Sequence, residues 1–415
     1  MSAAGPRRHE LPAEPVIERI SWVLTGAIIA LSVLALLTTT GSDASDGSTT
    51  TAVVDVSTSV VNSGVALSTV ASDEVESNRF TISASGDIIV HGRVAEAAQT
   101  NSGYDFGPLF ANVEPIIEAA DLAICHLEVP LSLTNNDLAF GEQGAFRVPN
   151  QLADALVATG FDSCSAASNH AYDSGEASVL ATVDQLTRVG LPHVGIATSA
   201  EQAARLWQFD VNGVTVGHLA YTYGLNGRAA GSVPTDRVAQ IDEAAIRADA
   251  ARHKANGSEF VILSMHWGDE LASELTGEQA ELGPRLIASD DIDLIIGHSA
   301  HVPQRIERYD GEYVAYGLGN FLSNQSITAP ECPNACTLES QDGVLVEFVV
   351  DRDDEGSLGV VDIVARPTWV DVGSTWQIID TTAGQTVTGA SIDRTVLKAS
   401  FDRTVTTLGV GADVP

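Results

Sequence analysis

Short apolar segments alternate with longer amphipathic segments along most of the chain after residue 79. The segments predicted to be strands are Phe80–Val90, Leu122–His126, Phe161–Ala167, Phe260–Met265 and Leu294–Ile296. The segments predicted to be helices are Pro108–Ala120, Gln151–Thr159, Glu176–Val189, Asp242–Lys254 and Thr276–Ser289. Strands that alternate with helices in this way predict a layered α/β domain.

Local turn signals refine this pattern. Asn150 immediately precedes a predicted helix and is a residue type that caps helix N-termini. Asn212-Gly213 predicts the tight turn of a hairpin within Trp207–Ala220. The later segments Tyr309–Tyr316 and Gly343–Val370 are rich in strand-forming residues.

The first 78 residues follow a different pattern. Residues 1–20 are polar, whereas residues 21–40 are almost entirely apolar and reach the ~20 residues that a membrane-spanning helix needs. No Lys or Arg occurs between Arg19 and Arg79, which predicts a cytoplasmic N-terminus and an extracytoplasmic remainder. A cleaved signal peptide is the alternative, and the lack of an A-x-A cleavage motif favours an uncleaved single-pass anchor in the cell membrane.

Domain boundaries follow from the same changes in pattern. Residues 41–78 are rich in Ser and Thr and predict a flexible linker. Residues 79–350 predict the main globular domain, and residues 351–415 predict a strand-rich C-terminal extension and tail.

The charge balance excludes one class of partner. The chain has 55 acidic and 21 basic residues, for a formal net charge of −34, and 44% of its residues are hydrophobic. Nucleic acid is therefore not expected to bind, because phosphate recognition needs basic patches. The acidic surface also repels anionic substrates in general. An adaptation for solubility or high salt explains it more simply than a specific acidic function.

The four cysteines fall into two pairs. Cys125 and Cys164 lie in apolar segments and are predicted to be buried thiols. Cys332 and Cys336 flank a short loop, where a local disulfide is predicted if the domain lies outside the cytoplasm.

Polar residues follow the predicted strands at the points where the strands end. These residues are Asp87, Glu128, Asn169 with His170, His266, and His298 with His301. Because the carboxyl ends of neighbouring parallel strands meet at one edge of a sheet, we expect these side chains to form one site. The strongest local signal lies in residues 291–304, where Gly297 is predicted to turn the chain before the two histidines. Mixed Asp, Glu, Asn and His ligands suit Mn, Fe(II) or Zn.

The same residues belong to a series of motifs that occur in order along residues 80–350. The motifs are Gly86-Asp87, Leu127-Glu128, Asn169-His170 with Asp173 and Gly175, His266-Trp267-Gly268 with Glu270, Gly297-His298 with His301-Val302 and Gln304, and Tyr316 with Leu318-Gly319-Asn320-Phe321. Together they resemble the CapA family of poly-γ-glutamate capsule biosynthesis, whose fold is similar to that of the calcineurin-like metallophosphoesterases.

This resemblance implies a fold, a cofactor and residue roles. The implied fold is a four-layer α/β sandwich of the metallophosphoesterase type, with one or two divalent metal ions (Mn, Fe or Zn) at the strand ends. The implied metal ligands are Asp87, Glu128, Asn169, His266, His298 and His301. His170 is implied as a general acid or transition-state stabiliser, and Asp173 as the carboxylate that orients it.

Several positions depart from the family pattern. His126 stands where the family usually has Asn, and Ser299 follows His298 where a second histidine is common. Ile89 occupies the position of the histidine in the Asp-x-His motif of metallophosphoesterases. His91 and His126 are therefore either substitute ligands or bystanders, and the number of metals stays open.

Two functions are compatible with these residues. The first is a metal-assisted hydrolase that acts on a γ-glutamyl amide or on a phosphoester, in the latter case with no link to capsule. The second is a non-catalytic accessory protein that binds anionic polymer, such as poly-γ-glutamate, within a capsule-synthesis complex at the membrane. Arg93 and Arg147 are candidate contacts for an anionic substrate, although an ordinary surface role is preferred for both.

Overall fold

The computed structural model describes residues 78–141, 144–229, 231–329, 336–382 and 392–409. All of them belong to one unit, Ser77–Pro415. The predicted cytoplasmic segment 1–20, the anchor 21–40 and the linker up to residue 77 lie outside the described residues. Among the helices that are described, none is both long and apolar enough to cross a membrane.

Strands and short helices alternate through the described chain. The strands are β1 (Phe80–Ile88), β2 (Gln99–Thr100), β3 (Gly103–Tyr104), β4 (Leu122–Leu127), β5 (Ala139–Phe140), β6 (Phe146–Arg147), β7 (Ser163–Ser165), β8 (His193–Val194), β9 (Gln208–Val211), β10 (Val214–Thr222), β11 (Phe260–His266), β12 (Leu294–His298), β13 (Ile306–Tyr309), β14 (Glu312–Ala315), β15 (Asn320–Leu322), β16 (Asp342–Arg352), β17 (Leu358–Val370) and β18 (Ile378–Asp380). The helices are α1 (Gly92–Ala97), α2 (Gly107–Phe110), α3 (Glu114–Ile117), α4 (Gln151–Thr159), α5 (Glu176–Val189), α6 (Ala200–Ala203), α7 (Glu243–Ala255), α8 (Gly277–Ile287) and α9 (Arg394–Leu408), with a 3-10 turn at Leu338–Gln341.

Two mixed sheets form the centre of the fold. The first sheet has the order β18-β17-β16-β1-β4-β7-β8, with β15 also paired to β1. Within it, β1, β4, β7 and β8 are parallel, whereas β16, β17 and β18 add antiparallel strands. The second sheet has the order β13-β14-β12-β11-β10-β9 and is parallel from β10 to β14. The prediction of an α/β fold is confirmed.

The elements pack as four layers. Phe80 on β1 and Phe260 on β11 belong to one buried cluster that fills the space between the two sheets. Leu152 on α4 and Leu186 on α5 pack against the outer face of the first sheet. Leu286 on α8 belongs to the cluster on the outer face of the second sheet. The order of layers is therefore helix, sheet, sheet, helix, and it keeps the strand ends of both sheets close together.

Most of the predicted elements are present, and two local predictions are wrong. The segment predicted as one helix at 108–120 forms α2 and α3, because Pro115 lacks the N–H group that a continuous helix would need. Asn150 does not cap α4 with its side chain, because its backbone is helical rather than extended. Its side-chain amide donates instead to the carbonyl of Leu133. The hairpin prediction is confirmed, with Asn212 and Gly213 both at positive φ.

The prediction of free thiols at Cys125 and Cys164 is also wrong. The two residues form a disulfide between β4 and β7, where they lie directly opposite each other with a Cα–Cα distance of 4.5 Å. That separation falls in the range that a disulfide can bridge. Cys336 is also disulfide-bonded, whereas Cys332 lies outside the described residues.

A buried histidine connects the two sheets. His218 on β10 has its Nδ1 atom 3.0 Å from the hydroxyl of Ser163 on β7. Its Nε2 atom lies 2.9 Å from the hydroxyl of Ser264 on β11. Burial, and then the charges of His298 and His253, lower the pKa of His218 from 6.5 to about 3. The neutral imidazole is therefore the form that the folded protein accommodates.

His218 is expected to make the protein less stable in acid. The contribution of His218 to the free energy of unfolding is complete above pH 6.5 and is lost as the pH falls towards about 3. In that range the unfolded chain binds a proton at this residue and the folded protein does not. One such group lowers the free energy of unfolding by up to about 1.4 kcal/mol per pH unit. Urea unfolding at several pH values should show a shallower acid slope for His218→Gln than for the wild type. Equal slopes would contradict this role.

Candidate metal centre

Strand register brings the predicted site residues to one edge of the fold. On the first sheet, Asp87 of β1 lies opposite His126 of β4, which in turn lies opposite Ser165 of β7. On the second sheet, His266 of β11 lies opposite His298 of β12. The pairs β1–β4, β4–β7 and β11–β12 are parallel, so the carboxyl ends of these strands lie at the same edge of their sheets.

The buried carboxylate of Asp87 is the focus of this cluster. Its Oδ2 atom lies 3.0 Å from Nδ1 of His301 and accepts a 3.1 Å hydrogen bond from the backbone N–H of Ser299. Its Oδ1 atom lies 3.3 Å from Nδ1 of His298. On the far side of its ring, His301 has its Nε2 atom 3.5 Å from the carboxylate of Glu128.

A row of imidazole rings continues from this focus. The rings of His126 and His298 stack with their centroids 4.0 Å apart. Nε2 of His126 lies 3.0 Å from Nδ1 of His266, whose Nε2 lies 3.0 Å from Oδ1 of Asn169. The sequence-predicted residues Asp87, Glu128, Asn169, His266, His298 and His301 therefore lie together, and His126 lies among them. His126 was left open between ligand and bystander, and its ring now belongs to the cluster.

Three overlapping groups of side chains have ligand atoms close enough to share a cation. They are Asp87 with His126 and His298, His126 with Glu128 and His266, and Asp87 with Glu128 and His301, each with its ligand atoms within 4.8 Å of one another. Both carboxylate oxygens of Glu128 and Nε2 of His298 are buried without a hydrogen-bond partner, although Oε1 of Glu128 has a 3.5 Å ion-pair contact with His301, and Nδ1 of His298 has only its 3.3 Å contact with Asp87. Such groups are costly to bury unsatisfied, so these residues fit a divalent metal.

The protonation of the cluster is strongly perturbed. Burial raises the pKa of Asp87, but contacts with His298 and His301 outweigh it, and the net pKa lies well below the usual value. Burial raises the pKa of Glu128 well above its usual value. Burial lowers the pKa of His301, yet the charges of Glu128 and Asp87 dominate and raise it to about 9. Without a metal, protons balance the buried carboxylates, and a cation would replace those protons.

The backbone around β12 differs from the prediction. Gly297 does not turn the chain, since it lies within the strand and its φ is not among the positive values. A Cβ atom there would lie 1.8 Å from the carbonyl oxygen of Tyr316 and 2.7 Å from Trp267, so glycine is needed for close packing. The turn comes from Ser299 and His301, at φ values of 89° and 58°. Strained residues of this kind are common at functional sites.

His170 lies at the solvent side of the cluster, with its side chain 13% exposed. Its Nδ1 atom donates to Oδ2 of Asp173 over 2.8 Å, because an ionised carboxylate can only accept. The same oxygen accepts a 2.7 Å bond from the backbone N–H of Phe146, whose ring packs edge-on against His170. The side-chain amide of Asn226 lies 3.4 Å from both ring nitrogens. Asp173 thus holds the ring in place with Nε2 available for proton transfer.

Other residues considered in the sequence lie around the centre rather than in it. Trp267 is buried, and its indole N–H donates to the carbonyl of Tyr316. Asn320 lies opposite Asp87 in the pairing of β15 with β1 and donates to the carbonyl of Ser340. Arg147 donates to the backbone of Asp137 and pairs with its carboxylate, which fits the preferred surface role.

Three residues near the centre carried no sequence signal that singled them out. Ser165 binds Nδ1 of His126 over 2.7 Å, Asn226 contacts His170, and Tyr223 stacks on His266 with ring centroids 5.9 Å apart. Ser165 lies within the predicted strand Phe161–Ala167 and ends the observed strand β7, and a serine in a strand does not by itself indicate a site. Tyr223 and Asn226 come from the loop after β10, which holds no recognisable motif.

Proteins of known sequence resemble the chain over most of its described length. "PGA biosynthesis protein CapA" of Bacillus subtilis (strain 168) is 28% identical over 302 residues, which cover 70% of this chain and 72% of that protein. "Capsule biosynthesis protein CapA" of Bacillus anthracis is 25% identical over 263 residues, which cover 61% of this chain and 62% of that protein. The aligned part is therefore less than two thirds of the Bacillus anthracis protein.

Solved structures are similar at a lower level. The calcineurin-like phosphoesterase YfkN from Bacillus subtilis aligns with 14% identity and a TM-score of 0.40, over 80% of this chain and 97% of that structure.

Residues 81–325 match the family described as "Bacterial capsule synthesis protein PGA_cap". This match spans more than half of the chain, so the protein belongs to the PGA_cap family of bacterial capsule synthesis proteins.

Proposed function

We propose that the chain is a membrane-anchored, extracytoplasmic metal-dependent hydrolase that acts in poly-γ-glutamate capsule biosynthesis or export. The observation that carries this proposal is the set of buried, unsatisfied ligand atoms on Glu128 and His298 beside Asp87. Family membership supports the capsule context. The apolar segment 21–40 and the linker 41–78 support an anchor and a domain outside the cell.

The proposed centre has defined residue roles. Its ligands are Asp87, Glu128, Asn169, His266, His298 and His301, together with His126. A bound Mn, Fe or Zn ion supplies an activated water and neutralises charge on the group under attack. His170 gives a proton to the leaving group from Nε2, since Asp173 holds the opposite nitrogen. The bond cleaved is a γ-glutamyl amide or a phosphoester.

A non-catalytic accessory protein is the second candidate. The net charge of −34 repels a polyanion, so a cation at the centre would provide local attraction for polymer carboxylates. In this role the protein would act within a capsule-synthesis complex in the membrane. The contact between His170 and Asp173 favours hydrolysis, because polymer binding alone needs no oriented proton donor.

Metal content and hydrolysis of the purified full-length chain test this proposal. After loading with Mn, Fe(II) or Zn, elemental analysis is expected to find about one to two equivalents per chain. The loaded protein should hydrolyse a γ-glutamyl anilide or a nitrophenyl phosphoester, and a chelator should stop the reaction until metal is restored. A folded protein that holds no metal under any loading condition would exclude the hydrolase. Metal without hydrolysis would favour the accessory role.

A further inference from the structure

Arg228 is a basic side chain without an ion pair in a strongly acidic protein. The formal net charge is −34, and other arginines near the centre are paired, as Arg147 is with Asp137 and Arg237 with Glu176. Among the described residues, Arg228 contacts no carboxylate, and its guanidinium group lies over an aromatic ring. An exposed guanidinium that neutralises no acidic group of its own protein can bind an anion from outside.

The loop that carries Arg228 is fastened to the candidate metal centre. The backbone N–H of Tyr223 donates to the carbonyl of His266 over 2.9 Å. The backbone N–H of Asn226 donates to the carbonyl of Asn169, also over 2.9 Å. Both acceptors belong to residues of the centre, so these hydrogen bonds place the loop, and with it Arg228, beside the centre.

An aromatic contact positions the guanidinium group of Arg228. Its Cζ atom lies 5.3 Å from the ring centroid of Tyr172, within the range of a cation–π contact. Tyr172 immediately precedes Asp173, the partner of His170. A Cβ atom on Gly175 would lie 4.0 Å from a terminal nitrogen of Arg228, so the guanidinium lies over this turn. Among the described residues its N–H groups have no acceptor, so they can form a bidentate contact with an anion.

A further acidic residue lies near the centre. The charge of Glu270 acts on both Glu128 and His301, so the centre has a further carboxylate nearby. A substrate with several carboxylates would be repelled here unless a fixed positive charge received one of them.

We infer that Arg228 binds a carboxylate of the substrate chain beside the metal centre and thereby selects a γ-linked glutamate polymer. Each unit of such a chain has a free carboxylate next to the amide bond, so one carboxylate at Arg228 places a neighbouring amide towards His170. The contact is bidentate and charge-assisted. This inference rests on the proposed function and names the substrate class of the same site.

Binding of a γ-linked triglutamate to the metal-loaded full-length chain, measured by calorimetry, tests the inference. Arg228→Gln is expected to weaken binding at least about 10-fold, and Arg228→Lys to a smaller extent, because lysine lacks the planar fork. Arg205→Gln is the matched control, since Arg205 lies over the ring of Trp207 at 3.9 Å and also forms no ion pair among the described residues. It should change affinity less than about 2-fold.

The outcomes separate this inference from the proposed function. Metal content should be unchanged in Arg228→Gln, and an amidated, uncharged triglutamate should bind the wild type and Arg228→Gln equally. Equal affinity of the wild type and Arg228→Gln for the charged triglutamate would overturn the inference and leave the metal centre intact. Failure of the wild type to bind triglutamate, or Arg228-dependent binding of inorganic phosphate alone, would also overturn it. Loss of metal from the wild type concerns only the proposed function.

Discussion

Replacing His298 with alanine is expected to lower the affinity for the divalent metal by about 100-fold or more. Loss of a residue that only hydrogen-bonds to a metal ligand typically lowers metal affinity by about 10–100-fold. His298 is itself placed among the ligand atoms, with Nδ1 3.3 Å from Oδ1 of Asp87 and Nε2 buried without a hydrogen-bond partner. Elemental analysis after dialysis, together with a titration of the metal-free protein, measures the change.

His193→Ala is the matched control for this substitution. His193 is buried on β8, and its Nε2 atom also lacks a hydrogen-bond partner, but it contacts Trp207 rather than the centre. This variant should keep the metal content of the wild type even if its stability falls. Unchanged metal affinity in His298→Ala would show that His298 is not a ligand of the centre.

The order and type of the main elements could be predicted from the sequence because each strand is short, apolar and followed by a polar residue. Asp87 and His298 were predicted to lie together for this reason alone, since parallel strands align their carboxyl ends. The prediction assumes that both strands belong to one sheet, whereas β1 and β12 belong to different sheets. The site still forms, because the packed sheets bring Asp87 and His298 within 3.3 Å of each other.

What the sequence could not give depends on register and on packing across layers. The disulfide between Cys125 and Cys164 joins residues 39 positions apart that become neighbours only when β4 pairs with β7. His126 is adjacent to that disulfide, and its position in the cluster follows from the same pairing. The sequence indicates a turn at Gly297, whereas the structure needs a glycine there because the carbonyl oxygen of Tyr316, just after β14, packs against it. That contact is made by a residue 19 positions later in the chain, so local sequence does not reveal it.

Two buried residues of the centre favour opposite protonation states. Burial raises the pKa of Glu128 and would favour its neutral form, whereas His301 beside it is pushed towards its charged form. A cation satisfies both residues at once, since it stabilises the carboxylate and takes the neutral imidazole as a ligand. The arrangement is therefore better suited to holding a metal than to holding protons.

Replacing His170 with glutamine is expected to lower kcat by about 100-fold to 10,000-fold while leaving the metal content unchanged. The imidazole lies at the open side of the centre and donates from Nδ1 to Asp173, so glutamine removes the proton donor without removing a predicted ligand. Steady-state hydrolysis of the substrate that the wild type cleaves, a γ-glutamyl amide or a phosphoester, measures kcat. Elemental analysis of the same sample measures metal content. His193→Gln serves as the control for removal of an imidazole elsewhere.

The dependence of kcat on the leaving group separates proton donation by His170 from a purely structural role. A strongly basic leaving group needs a proton to depart, whereas a weakly basic one does not, so His170→Gln should lose far more kcat on an alkyl substrate than on a nitrophenyl substrate. Asp173→Asn should lower kcat by about 10-fold to 100-fold and keep part of this difference, because the ring remains but is no longer oriented by a carboxylate. An equal loss of kcat on both substrates in His170→Gln would assign proton donation to another group.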